Sequence, residues 1–134
     1  MTSRKEIERQ MLQEECLANL GITREDSERL RRISMTLSRW SERECNGEVE
    51  VDEDGNAFVT YASCSSGRIT RWKVPNRERG ALRRLAAIMA QYPELGAYHQ
   101  TDPRGAALYI YRKADIPEGS SIDSVYSSFG VAVY

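Results

Sequence analysis

The chain reads as an α+β protein: an N-terminal helical hairpin, then an antiparallel sheet of about five or six strands with one helix packed on it. Three observations carry this. Apolar residues recur at spacings of three and four through about residue 46 and switch to alternation after it. Turn chemistry then punctuates the alternating stretches every few residues. One further amphipathic stretch, from residue 76 to about 91, interrupts the strands. The 134 residues form one domain, 1–46 helical and 47–134 sheet plus helix.

Residues 4–20 have helical spacing, with Ile7, Met11, Leu12 and Cys16 on one face and Gly21 as the stop. Thr23 caps a second helix, and Glu25 and Asp26 in its first turn suit the helix dipole. Leu30, Ile33, Leu37 and Trp40 make its apolar seam, and Asn46-Gly47 ends it. The arginines between them, Arg29, Arg31, Arg32 and Arg39, form a solvated face.

Val49 and Val51 lead into the turn 52–56, and Phe58 to Ala62 returns as a strand. Residues 63–67 turn again, and Arg68 to Val74 makes a third strand, with Arg71 and Lys73 on one side and Trp72 in the core. Pro75-Asn76 opens the third helix, whose buried side holds Leu82, Leu85, Ala86 and Met89; Tyr92-Pro93 closes it. Tyr98 to Thr101 and Ala106 to Tyr111 form a hairpin across Asp102-Pro103-Arg104-Gly105, a type I turn followed by a left-handed glycine. Alternation puts Tyr109 and Tyr111 on one face, Leu108 and Ile110 on the other. Gly130 to Tyr134 is a last short strand.

Composition bounds the function. Charged residues are 29% and apolar ones 40%, as in a folded soluble protein, with no apolar run able to span a bilayer. MTSRKEIERQ lacks the apolar core of a signal peptide, so a cytoplasmic location is expected. Cys16, Cys45 and Cys64 are odd in number and widely spaced, which argues against a disulfide framework and against zinc. Glu50-Val-Asp52-Glu-Asp54-Gly55 imitates the start of a calcium loop, but its twelfth position is Tyr61, so an acidic hairpin turn is the reading. The sole histidine, His99, lies on a strand without a nucleophile at recognisable spacing, and a structural role is assigned to it. No cofactor is expected.

Charge distribution points elsewhere. Residues 42–54 hold seven acids against one base, a net of −6; residues 68–84 hold seven bases against one acid, a net of +6. The whole chain sums to −1, so the two patches cancel globally while remaining able to steer partners. Arg77 and Arg79 oppose the dipole of the third helix, as they would if they faced a bound anion or the acidic segment. The expected contact residues are therefore Glu48, Glu50, Asp52, Glu53 and Asp54 on one patch and Arg71, Lys73, Arg77, Arg83 and Arg84 on the other. Arg104 at the hairpin tip joins them.

Two stretches, Asn76-Arg-Glu-Arg-Gly-Ala-Leu-Arg-Arg-Leu and His99-Gln-Thr-Asp-Pro-Arg-Gly-Ala-Ala-Leu-Tyr-Ile, resemble small accessory proteins of bacterial phages, prophages and mobile elements. The segment from Leu37 to Gly47 and the ending Pro117-Glu-Gly…Asp123-Ser-Val-Tyr…Gly130-Val-Ala-Val are similar to theirs too. The resemblance covers residues 30–134 and implies phage origin. By analogy it implies a non-catalytic inhibitor of a host defence or nucleic-acid-handling protein, in the manner of an anti-CRISPR, whose partner is a host protein or complex such as a CRISPR effector. It is expected to act as a monomer or small homo-oligomer, away from membranes. The alternative is a small nucleic-acid-binding protein that uses the basic 68–84 segment.

Overall fold

The computed structural model describes residues 3–38, 46–54, 56–63, 66–73, 76–102 and 105–133, without the side chains of residues 51, 57, 73, 76–79, 101, 102, 105 and 106. Ser3 opens helix α1 (Arg4–Asn19) with a reciprocal capping box: its hydroxyl accepts from Glu6 N, and Glu6 accepts from Ser3 N. Gly21, at φ +89°, lets the chain turn out of this helix, where the Ile22 amide returns to the Leu17 carbonyl. Thr23 caps α2 (Arg24–Leu37) as its sequence indicates, accepting from Asp26 N at 3.2 Å.

Six strands follow: β1 (Gly47–Val51), β2 (Ala57–Ala62), β3 (Ile69–Lys73), β4 (Leu95–Asp102), β5 (Gly105–Arg112) and β6 (Gly130–Val133). Helix α3 (Asn76–Met89) joins β3 to β4, and α4 (Ile122–Phe129) joins β5 to β6. All pairs are antiparallel, and the order across the sheet is β3-β2-β1-β4-β5-β6. The sheet is thus a β1–β3 meander and a β4–β6 unit fused where β4 lies beside β1.

Register assigns the two faces. Val59, Leu95, Ala97, Leu108, Ile110 and Val133 point to one side, where Leu17, Leu30, Ile33, Leu37, Leu82 and Leu85 from the first three helices complete the main core. Tyr98 and Tyr111 point to the other, where Ile122 of α4 packs on them. The expected split of Leu108 and Ile110 from Tyr109 and Tyr111 is what the sheet shows. His99 is on the helix side, buried, paired with Gly47 and Leu108.

Several expectations need correction. Ile7, Met11 and Leu12 are not a buried face; they are 46, 64 and 61% exposed, and Leu17 is the residue α1 buries. A helix of 16 residues runs about 24 Å, and this one reaches neighbours mainly through its C-terminal half, on β6 and α2. Trp72 is not core but 39% exposed, because β3 is the edge strand of the sheet. Helix α2 ends at Leu37, and Gly47 belongs to β1; Trp40 and Cys45 lie outside the described residues, as does Cys64. On α3, Ala81 and Ile88 join Leu82 and Leu85 among the buried residues, while Met89 packs on the core partly buried and Ala86 is half-buried. Helix α4 has no counterpart in the sequence pattern above, and each of the four α-helices among the described residues packs on the sheet, not one alone.

The β4–β5 register sets Asp102 opposite Gly105, so Pro103-Arg104 is the hairpin loop; these two residues, and the turn type with them, lie outside the described ones.

Candidate binding face

Helix α4 packs on the sheet's second face over β5 and β6 and reaches β1 and the end of β2. Beyond it, among the described residues, Glu50, Arg71 and Ile69 are exposed on that face, Ile69 by 69%. Strand pairing sets Glu48 beside Thr60 and Thr60 beside Arg71, then Glu50 beside Phe58 and Phe58 beside Lys73. Two rows of strand positions therefore run from acid to base across three strands.

The side chains respond to this arrangement. The Arg71 guanidinium lies 3.7 Å over the Phe58 ring. Thr60 Oγ1 donates to Glu50 Oε2 at 3.1 Å. Asp52 closes the β1–β2 turn, its Oδ1 accepting from Asp54 N at 3.0 Å and Asn56 N at 2.8 Å, and its Oδ2 from Asn56 Nδ2 at 3.2 Å. These bonds, the Asn56 amide first and with help from Arg71, hold its carboxyl below the usual range. Asp52 is thus a turn residue, while Glu53 and Asp54 are exposed at the tip.

Where the two halves of the sheet meet, a second group of polar residues is half buried. Strands β1 and β4 pair only through Gly47–His99 and Glu48–Tyr98 and then part, leaving a cavity of about 370 Å³ beside Glu48, Tyr111 and Lys113. A neighbouring groove of about 440 Å³ runs from the same three residues to Ile69, Ile122 and Asp123. Burial raises the Glu48 carboxyl above its ordinary range; the Tyr111 hydroxyl donating to it offsets part of this, and Asp123 repels. Burial likewise raises Asp123, although Ala62 N donates to its Oδ2 at 3.2 Å. The Tyr98 hydroxyl also lies against Asp123, but among the described residues no donor reaches Oδ1, which is buried. Both tyrosines are pushed well above the ordinary phenol value, chiefly by burial and next by these carboxylates. Tyr98 stacks on Tyr126 at 4.5 Å, and Tyr109 meets Tyr126 edge-on at 5.0 Å, which anchors α4 and with it Asp123.

Two partly buried carboxyls, one with an oxygen that no donor reaches among the described residues, suit a cationic or hydrogen-bond-donating group from outside. His99 does not reach them, being on the opposite face. Among the described residues no three His, Cys, Asp or Glu side chains gather as a metal site requires.

The residues expected to act therefore divide. Glu48, Glu50, Arg71 and the backbone position of Lys73 share the open face, with Asp52, Glu53 and Asp54 at its end. Arg83 and Arg84 are exposed on α3, in the helical layer on the other side of the sheet, and Arg77 occupies the first turn of that helix. The basic 68–84 segment is not one patch. Arg104 lies outside the described residues. Tyr98, Tyr111, Lys113 and Asp123 were not foreseen; the available hint was Gly96 and Gly130, which pair with Tyr111 from both sides.

Comparisons of the chain with protein-family models, with curated proteins and with solved structures find no match. No helix among the described residues is long and apolar enough to cross a membrane.

Proposed function

We propose that this is a non-catalytic, phage-type accessory protein that binds and inhibits a host defence or nucleic-acid-handling protein, anti-CRISPR-like, through the open half of its sheet. The observation that supports it most is the row pattern: the register places Glu48 and Glu50 across one strand from Arg71 and the position of Lys73. A nucleic-acid backbone is a uniform polyanion and is repelled by half of such a face. A folded protein with the complementary pattern of charges is not. The groove beside Asp123 then accepts a lysine or arginine of the partner. The phage origin and the host target rest on the sequence resemblance. Direct nucleic-acid binding is the weaker reading, because Arg71 and Lys73 sit on one layer and Arg83 and Arg84 on the other.

The test is capture of the partner from host lysate on immobilised protein, followed by titration of the purified pair with Glu50→Lys and Arg71→Glu. Each reversal is expected to weaken binding by about tenfold or more and to change its salt dependence. Binding indifferent to salt and to both reversals refutes the proposal. So does a mobility shift of short DNA or RNA at physiological salt that tracks Arg71 alone.

A further inference from the structure

The helical layer carries a second charged surface that owes nothing to the open face. Arg29, Arg32 and Ile33 on α2 and Arg84, Ala87 and Ile88 on α3 line one groove of about 580 Å³. The sequence marks the α2 arginines as a solvated face and Arg84 as part of the 68–84 patch; packing of α2 on α3 brings them together. On each helix the lining residues follow helical spacing, Arg29–Arg32–Ile33 and Arg84–Ala87–Ile88, so one ridge of each helix lines the groove. Its base is apolar, with Ile33 and Ile88 nearly buried, and its walls are guanidinium groups.

Charge there is poorly compensated. Arg29 reaches Asp26 at 3.1 Å, but that carboxylate also accepts from the Tyr92 hydroxyl at 2.6 Å. Arg32 and Arg84 are exposed, with no acidic side chain within ion-pair distance among the described residues. Cationic walls over an apolar base are the complement of an amphipathic helix bearing acids beside small apolar residues. Glu25 and Glu28, one turn before Arg29 and Arg32, close one end with negative charge. The surface is therefore short, and does not continue as the long basic stripe that a nucleic-acid strand follows.

We propose that the α2–α3 groove docks a short acidic amphipathic helix of a partner protein, with Arg29, Arg32 and Arg84 holding its carboxylates and Ala87 admitting its apolar side chain. The probe is a synthetic amphipathic helix with glutamates at helical spacing along one face, added to protein labelled at isoleucine methyls. The Ile33 and Ile88 resonances are expected to move at low salt while Ile69, on the open sheet face, stays in place. Arg32→Glu combined with Arg84→Glu should weaken the peptide by about tenfold or more, and Ala87→Trp should block it by filling the groove. Arg71→Glu should leave it unchanged, so failure here is separable from failure of the sheet-face reading. All four positions are exposed, and melting curves confirm that the variants fold. Unmoved Ile33 and Ile88 methyls overturn the proposal, as does a short DNA duplex that shifts them at lower concentration than the peptide.

Discussion

Gly47 and Gly96 show how far single residues govern the site. At Gly47, φ is +150°, and a Cβ would stand 2.3 Å from the Thr60 carbonyl oxygen. Backbone has to move to admit it, so Gly47→Ala should cost on the order of 3 kcal/mol in urea denaturation. At Gly96 a Cβ would meet the Tyr111 ring at 2.4 Å; the glycine exists so that this ring can lie across it and reach Glu48. Gly96→Ala should cost roughly 1–3 kcal/mol by displacing a buried ring. Titration adds a signed expectation. Glu48 and Asp123 have folded values above their unfolded ones, so each favours the folded state in its protonated form. Their contribution is fully present below the unfolded value and is lost as pH rises through the folded one. Glu48→Gln, which keeps an acceptor for Tyr111, should therefore raise the melting temperature near pH 7 and flatten its decline as pH rises above the ordinary carboxylate range. A Glu48→Gln protein less stable than wild type at pH 7 contradicts the assignment.

Among the elements, the N-terminus of α2 and the end of α3 are tied through one hydroxyl. Tyr92 donates to the buried Asp26 carboxylate and accepts from Thr23 N at 3.2 Å. Tyr92→Phe keeps the ring and strands both partners, and should cost about 1.5–3 kcal/mol by chemical denaturation. A cost near zero would mean that water replaces the hydroxyl. At the other edge, α1 and α2 cover the carbonyls of β6: Gln13 Nε2 donates to Ala132 O at 2.9 Å and Ser34 Oγ to Val133 O at 2.6 Å. Two carbonyls of that strand are thus taken by helix side chains, whereas β3 presents exposed Arg71 and Trp72.

For the molecule as a whole, the sheet separates two charged surfaces, the interleaved one on β1–β3 and the arginine groove on α2–α3. Each should respond only to its own reversals. Partner capture lost with Arg71→Glu and retained with Arg84→Glu places the contact on the open face; the converse places it on the helices. The measurement is the same titration at two salt concentrations, in which both surfaces should weaken as screening increases.

Local pattern alone determined the class of the fold, the Thr23 cap, the three successive strands after residue 47, the 98–111 hairpin and the opposed faces of Leu108 and Tyr109. Periods of 3.6 and 2 and turn chemistry are properties of short stretches, and a short stretch suffices to read them. Partners across long loops were decided by packing. Periodicity gives a helix an apolar side without saying whether a neighbour covers it, so Ile7 and Met11 are exposed. Alternation gives Trp72 a face but not its place at the sheet edge. Segment charge made 68–84 a single patch, whereas the sheet runs between Arg71 and Arg84, and α4 brings Asp123 to Glu48 from 75 residues away. Such juxtapositions depend on strand order and crossovers, which no local period encodes.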